Sequence, residues 1–179
     1  MKAFVKDTIT IIIIAGILFL GLQYTIQRFT VDGPSMQNNF HDGQQLIVNK
    51  VVYYMHEPER GDVIVFLYPE LSKEGYIKRI IGLPGESIEI VDGVIRIKKA
   101  SGESFTLDEP YVSSKARDDF DFVKIPEGEY FVMGDNRNNS SDSREGWTVP
   151  REYVIGKVWL SIWPFDLFGL IPEHVYAND

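Results

Sequence analysis

SIEIVDGVIRI, Ser87 to Ile97, sets two runs of branched apolar residues on either side of Asp92-Gly93. Residues two apart in a strand share a face, and branched side chains pack well on a pleated surface. Asp-Gly is favoured where both central residues of a two-residue turn adopt positive φ. The stretch therefore predicts an antiparallel β-hairpin.

Short runs of similar character lie on both sides of this hairpin. They are rich in Val, Ile, Phe and Tyr and are separated by Gly, Pro, Asp and Asn, which is typical of β-structure. The most polar stretch, residues 113–122, predicts an exposed loop. We therefore expect a mostly β fold, an antiparallel β-sheet domain of packed sheets. The runs are QQLIVNKVVYY, GDVIVFLY, YIKRIIG, EYFVMG and IGKVWLSIWP.

A different pattern precedes Phe29. Thr8 to Gln27 has no charged residue, and as a helix it would be ~30 Å long, the thickness of a bilayer core. A buried soluble helix and a cleaved export signal are the alternatives, but the bulky residues that follow lack the small-residue pattern of a cleavage site. We expect one N-terminal transmembrane helix, with residues 1–28 as cytoplasmic N-terminus and anchor and residues 29–179 as an extracytoplasmic β-domain.

The charges beside this run suggest its orientation. Lys2 and Lys6 precede it and Arg28 alone follows closely, which places the N-terminus in the cytoplasm and the rest outside. Four apolar residues near the C-terminus either pack in the core or meet the membrane interface: Trp163, Phe165, Leu167 and Phe168.

Composition excludes several classes of protein. The chain has 179 residues, enough for one well-buried domain. Its formal net charge is -8 and it has no Lys/Arg cluster, which argues against a nucleic-acid partner. It has no cysteine, so thiol catalysis, disulfides and zinc fingers are excluded.

Ser35 is the one serine in VDGPSMQNNF, residues 31–40. A serine hydroxyl is a weak nucleophile and needs a base within hydrogen-bond reach. His41, His56 and His174 are the obvious bases, but each is more typical of a surface residue. A lysine can replace histidine if burial lowers its pKa from ~10.4 toward ~7–8.

YIKRIIGLPGE contains such a lysine. In a strand, Lys78 shares a face with Tyr76 and Ile80, and Arg79 shares the other with Ile77, so one cation must point at an apolar side. Arginine stays charged, whereas lysine can lose its proton, which favours Lys78. An edge strand whose two cations both extend to water is equally compatible with this stretch alone.

GDNRNNSSDSR, residues 134–144, is the third notable stretch. Asx- and Ser-turns explain much of its composition, and alone it suggests a surface loop. The other interpretation is that a hydroxyl of this loop orients a neutral lysine while Asp142 and Arg144 pair and brace the loop.

Together these stretches resemble the bacterial type I signal peptidases, a family of membrane-bound Ser/Lys leader peptidases. The resemblance covers nearly the whole chain, and the order and spacing of its motifs are specific. After the N-terminal apolar run come GPSM, RGDVIVF, YIKRIIGLPGE, DEPY, GDNRNNSSDSR and GKVWLSIWP.

The resemblance implies a serine endopeptidase, signal peptidase I, with Ser35 as nucleophile and Lys78 as general base. Such an enzyme removes N-terminal signal peptides from exported preproteins at the outer face of the cytoplasmic membrane, after small residues in A-x-A type sites. The implied partners are these signal peptides and membrane lipid. The resemblance implies no metal and no organic cofactor.

Supporting roles also follow from the resemblance. Ser140 corresponds to the serine that hydrogen-bonds the lysine, and Asp135, Asp142 and Arg144 correspond to structural residues. Gly33 falls where some members have a serine whose hydroxyl binds the oxyanion, so only backbone could serve there.

Phe40 and Ile77 match apolar substrate-pocket positions of the family. The stretch around Phe40 departs from the common M-x-P-T-L-x-x-G-D pattern, since Asn38 replaces proline, Asn39 threonine, Phe40 leucine and Gln44 aspartate. These changes bear on pocket shape and leave Ser35 and Lys78 unaffected.

Two other functions fit parts of the sequence. One is a self-cleaving, repressor-type Ser/Lys hydrolase, against which the apolar N-terminus and the lack of a DNA-binding module argue. The other is a silent homologue that assists assembly of surface proteins, but such homologues usually lose the serine or the lysine.

Overall fold

A computed structural model describes residues 2–67, 75–117 and 119–176 of the chain. Within these ranges the helices are α1 (Lys2–Thr25) and α2 (Val52–Met55). The strands are β1 (Ile26–Thr30), β2 (Gln45–Asn49), β3 (Val63–Leu67), β4 (Gly75–Gly82), β5 (Ser87–Val91), β6 (Val94–Lys98), β7 (Ser104–Thr106), β8 (Phe120–Lys124), β9 (Glu129–Met133), β10 (Val149–Pro150), β11 (Val154–Trp163) and β12 (Gly169–Leu170). Short 3-10 helices cover Ser143–Glu145, Arg151–Tyr153 and Phe165–Leu167.

The strands form two sheets. The larger has the order β1-β2-β11-β3-β4-β9-β10, with β12 added to β11, and the smaller has the order β7-β6-β5-β8. Every strand pair described is antiparallel. The prediction of a mostly β, antiparallel fold is confirmed.

The predicted hairpin is the centre of the smaller sheet. Its register runs to Val91 opposite Val94, and the turn residues Asp92 and Gly93 have φ of 51° and 67°. One face of the hairpin is almost completely buried and contributes Ile88, Ile90, Ile95 and Ile97 to a hydrophobic cluster.

The larger sheet buries both faces, as the alternation along β3 illustrates. Val63 and Val65 belong to one hydrophobic cluster, and Ile64 and Phe66 belong to another. The first cluster also contains Met36 and Ile77, so it packs the segment after β1 against the start of β4. This contact positions the candidate active site.

Two local expectations are wrong. KVVYY does not continue β2, because the chain turns after Asn49, whose side chain accepts the N–H groups of Val51 and Val52 at 3.0 and 3.2 Å, and α2 begins at Val52. The polar stretch 113–122 is not loop to its end, because β8 begins at Phe120, whose ring packs 5.4 Å from that of Phe131.

The predicted transmembrane helix is not confirmed. Among the helices in the described ranges, none combines the length and apolar character needed to cross a membrane. The expectation of core packing is wrong for the four C-terminal apolar residues, which are exposed to between 36% and 76%: Trp163, Phe165, Leu167 and Phe168.

Candidate active site

Ser35 lies in a tight turn between β1 and β2. Gly33 has a φ of 80°, a conformation that glycine adopts without steric cost, and Pro34 follows it. The Gln37 N–H closes the turn on the Pro34 carbonyl at 3.0 Å. Met36 is fully buried in the first cluster and anchors the turn there, whereas Ser35 stays partly exposed.

Lys78 lies in β4 and reaches this turn from a buried position. Its side chain is only slightly accessible, with the residue 3% exposed. Nζ lies 2.8 Å from Ser35 Oγ and donates to the Ile77 carbonyl at 3.0 Å. The distance to Ser35 is within reach for proton transfer between a nucleophile and its base.

Burial lowers the pKa of Lys78 from 10.5 to about 8. An amine removed from water is disfavoured in its charged form, and this effect is the largest. Nearby carboxylates act in the opposite direction and limit the shift: Asp142, Asp135 and Glu145. A substantial fraction of Lys78 is therefore neutral near pH 8.

Arg79, the next residue of β4, remains charged because it is fully paired. Its guanidinium donates to both carboxylate oxygens of Asp135, at 2.9 and 2.8 Å, and to the Gly61 carbonyl at 2.9 Å. It also stacks over the Tyr111 ring, 4.1 Å from the centroid. The alternative in which both cations extend to water is wrong.

Asp135 joins this ion pair to the serine turn. Besides Arg79, it accepts a hydrogen bond at 2.8 Å from the side chain of Asn39. The same Asn39 amide donates to the Tyr111 carbonyl at 2.9 Å. Asn39, one of the residues that depart from the family pattern, therefore links the serine turn to the strand that carries the lysine.

Asp142 and Arg144 form the predicted pair, with Nε–Oδ1 and Nη2–Oδ2 distances of 2.8 and 2.9 Å. Asp142 is fully buried and also accepts the Gly134 N–H at 3.0 Å. The pair therefore holds the loop at the end of β9, directly beside Ser35.

Ser140 does not make the predicted hydrogen bond to Lys78. Its hydroxyl is buried without a partner in the described part of the chain. It packs against Gly134, where an added Cβ would overlap both Ser140 Oγ and the Ser35 carbonyl oxygen. The Ile77 carbonyl, rather than the Ser140 hydroxyl, is the second partner of the lysine.

Gly33 does not offer a free oxyanion donor. Its N–H already donates to Asp42 Oδ1 at 2.8 Å. The Ser35 N–H, by contrast, has no acceptor among the residues described.

Sequence reasoning did not single out Asn136. Its N–H donates to the Ser35 carbonyl at 3.0 Å, and its side chain donates to the Pro34 carbonyl at 3.1 Å. These bonds join residues 134–144 to the serine turn. The Asn-rich composition of that stretch was a signal for such bonds, but it did not identify the partner.

A cavity of about 150 Å³ opens at the dyad, and it is lined by Phe29, Asp32, Ser35, Gly75, Tyr76, Ile77 and Lys78. Ile77 is in the lining, as predicted for a pocket residue, whereas Phe40 lies outside it in the first hydrophobic cluster. A larger cavity of about 770 Å³ contains neither Ser35 nor Lys78. The residues that line the smaller cavity, and not the volume of the cavity, therefore identify the site.

The start of β4 has an open edge at this cavity. β3 pairs with β4 from Gly75 to Arg79, but on the other side β9 pairs only from Arg79 onward. In the described residues, Gly75 to Lys78 thus has no strand on the cavity side. An extended peptide can add there by backbone hydrogen bonds.

Comparisons with known proteins relate most of the chain to one family. The model of the family "Signal peptidase, peptidase S26" matches residues 1–163. Signal peptidase I T of Bacillus subtilis is 38% identical over 167 residues, 87% of this chain and 83% of that protein. Signal peptidase I of Bacillus licheniformis is 38% identical over 169 residues, 87% of each chain.

A crystal structure of a signal peptidase I from Enterococcus faecalis is 32% identical, with a TM-score of 0.49 over 57% of this chain and 97% of that one. The family match and the identity to the two Bacillus proteins extend over most of the sequence. The chain belongs to the signal peptidase family, peptidase S26.

Proposed function

We propose that this signal peptidase cleaves N-terminal signal peptides from exported preproteins with Ser35 as nucleophile and Lys78 as general base. The observation that carries the proposal is the 2.8 Å separation of Lys78 Nζ and Ser35 Oγ, with the lysine buried. No His-containing alternative competes, since His41 lies outside the cavity lining and His56 and His174 line the other cavity.

The reaction follows from the hydrogen-bonding capacity of a neutral amine. Its lone pair takes the Ser35 hydroxyl proton while one N–H stays on the Ile77 carbonyl. Ser35 Oγ attacks the scissile carbonyl carbon, and the tetrahedral intermediate expels the amine, which receives the proton from Lys78. Lys78, neutral again, then takes a proton from the water that attacks the acyl-enzyme ester and returns it to Ser35 Oγ as the acid product leaves.

The developing oxyanion needs donors that are already in place. The free Ser35 N–H is the donor that the site supports. Gly33 is not included, because its N–H is held by Asp42. Asn136 supports catalysis indirectly by fixing the carbonyls of Pro34 and Ser35.

The small cavity supports a substrate with small residues at the first and third positions before the cut. The substrate strand would add to the open edge of β4, and alternate side chains would point toward the cavity. A cavity of about 150 Å³ accommodates small side chains, and Ile77 would contact them. Phe40 would support the serine turn by packing in the first hydrophobic cluster, without contacting the substrate.

We also propose that the protein acts at the outer face of the cytoplasmic membrane, with residues 1–28 as anchor and residues 29–179 as catalytic domain. Two features support membrane attachment. The isoleucines of α1 from Ile9 to Ile17 are at least half exposed, and so are Phe165 and Phe168. Apolar surface of this extent is typical of a membrane contact. Extraction of membranes at high pH tests this membrane attachment. The full chain should stay in the membrane pellet, and a chain without residues 1–25 should be released.

Cleavage of a preprotein in detergent micelles tests the function. The full chain should cut after the second alanine of an Ala-x-Ala site, as sequencing of the new N-terminus would show, and lysine in place of that alanine should abolish the cut. Ser35→Ala should be inactive, and Ser113→Ala, an exposed serine, serves as control. Retention of biological function by Ser35→Ala would instead favour the assembly factor. If the wild-type protein cleaved only its own chain, the self-cleaving hydrolase would be favoured.

A further inference from the structure

Asn39 joins three segments of the chain through one side-chain amide. Its Nδ2 donates to Asp135 Oδ2, in the loop after β9, at 2.8 Å and to the Tyr111 carbonyl at 2.9 Å. Its own N–H donates to the Met36 carbonyl at 3.1 Å, within the serine turn. The opposite orientation of the amide would face its oxygen to two acceptors, so only the nitrogen fits there.

This link needs both hydrogens of the amide nitrogen. A polar side chain with a single donor, such as serine or threonine, could hold Asp135 or Tyr111 but not both. Asp135 is almost completely buried, whereas Asn39 itself is exposed. A change at Asn39 therefore alters the surroundings of the buried carboxylate without opening the hydrophobic core.

Asp135 connects Asn39 to the strand of the general base. Its carboxylate accepts two hydrogen bonds from Arg79, the neighbour of Lys78 in β4. Burial lowers the pKa of Lys78, and three carboxylates limit the shift: Asp142, Asp135 and Glu145. The cations in the field of Asp135 are Arg79, Arg137 and Lys78. The place and charge of this carboxylate therefore bear on how readily Lys78 becomes neutral.

We propose that Asn39 is a positioning residue of the peptidase reaction, which holds the serine turn against Asp135 and thereby keeps Ser35 in line with Lys78. The inference rests on the proposed function. Asn39 lies outside the lining of the small cavity, so it acts through the turn and Asp135 rather than on the substrate. Its loss should lower kcat and leave KM unchanged.

Asn39→Leu tests the hydrogen bonds, because leucine has a similar shape and no donor. With the full chain and an Ala-x-Ala signal peptide in detergent, kcat should fall about tenfold, since a displaced nucleophile loses rate steeply. Asn38→Leu is the matched control. Asn38 is exposed, and its side chain makes no hydrogen bond with the residues that the structure describes. A kcat for Asn39→Leu that equals that of the control would overturn the proposal.

Asn39→Asp tests the electrostatic part of the role. A carboxylate at residue 39 would face Asp135 without a hydrogen to donate, and it stays ionised because the position is exposed. The added charge should raise the pKa of Lys78, so the rise of kcat/KM with pH should move to higher pH by roughly one unit. Asn38→Asp makes the same charge change one residue away and should keep the wild-type profile in about 0.15 M NaCl.

The outcomes separate this role from the proposed function. A pH profile of Asn39→Asp that matches that of Asn38→Asp would contradict the role of Asn39 while leaving the peptidase function intact. Equal losses of kcat at residues 38 and 39 would do the same, because they would reflect a general disturbance of the turn. Failure of the wild-type chain to cut the peptide would instead overturn the proposed function, and the role of Asn39 with it.

Discussion

The two neighbouring cations of β4 differ in their partners, and this difference defines their roles. Arg79 cannot lose its proton, and Asp135 neutralises it through two hydrogen bonds. Lys78 meets a hydroxyl and a carbonyl instead. The alternation of side chains along β4 predicted that one of the two cations would face an apolar side. It could not predict the contact with Ser35, because the two residues are 43 positions apart and only the folded chain brings them together.

Activity should rise with pH as Lys78 loses its proton. Below its pKa of about 8 the lysine is mostly charged and cannot accept the Ser35 proton. We expect kcat/KM to increase about tenfold per pH unit well below that value and to level off above it. Initial rates between pH 5 and 10 check this, and a flat profile would contradict it.

The free energy of unfolding should also rise with pH because of Lys78, but at higher pH than the activity does. The folded-state pKa of about 8 lies below the ordinary 10.5, so the unfolded chain binds more protons between these values and stability rises with pH there. At pH 6 burial of the charged amine costs about 3 kcal/mol, since one pKa unit corresponds to about 1.4 kcal/mol.

Lys78→Met tests this, because methionine has a similar shape and no charge. Urea unfolding should give the variant a larger free energy of unfolding than wild type at pH 6. This difference in free energy should narrow toward pH 10. A variant that is less stable than wild type at pH 6 would argue that the lysine is not destabilised by burial.

Among the elements, those with a run of several branched or aromatic apolar residues were predictable, and the shortest strands were not. The β5–β6 hairpin follows from its Asp-Gly turn, and β3, β4, β9 and β11 follow from runs rich in Val, Ile, Phe and Tyr. Strands such as β7, β10 and β12 have only two or three residues, too few to form a pattern. Their pairing depends on the neighbouring strand rather than on their own composition.

The loop after β9 positions the serine turn through close contact at Gly134. A methyl group there would overlap the Ser35 carbonyl, which is backbone and cannot rotate away. Gly134→Ala should therefore displace the nucleophile and lower kcat/KM by about 10²-fold, the effect of a misplacement of about 1 Å.

Gly169→Ala is the matched control, because a Cβ at Gly169 meets no atom within 4 Å. Circular dichroism should find both variants folded. Activity of Gly134→Ala within twofold of wild type would mean that this contact does not fix the serine.

At the scale of the whole molecule, a buried ion pair joins the two sheets. Arg60, just before β3, donates to both oxygens of Glu86, just before β5, at 2.9 and 2.7 Å. The Arg60 side chain is fully buried and also donates to the Ile81 carbonyl at 2.7 Å. Removing one partner of such a pair leaves an uncompensated charge.

Glu86→Gln should lower the free energy of unfolding by about 3 kcal/mol or more. Glu89→Gln is the control, because its pair with Arg96 is exposed and should contribute less than about 1 kcal/mol. Urea denaturation of both variants checks this, and equal effects would contradict the role of the buried pair.

The central claim, that a buried lysine activates Ser35, is tested most directly by cleavage of one Ala-x-Ala signal peptide in detergent. The comparison is between wild type, Ser35→Ala, Lys78→Ala and Lys124→Ala, an exposed control lysine. The account predicts that wild type and the control cut after the second alanine at similar rates, whereas the two dyad variants remain at background. Substantial cleavage by folded Lys78→Ala would contradict it, because Ser35 would then have another base.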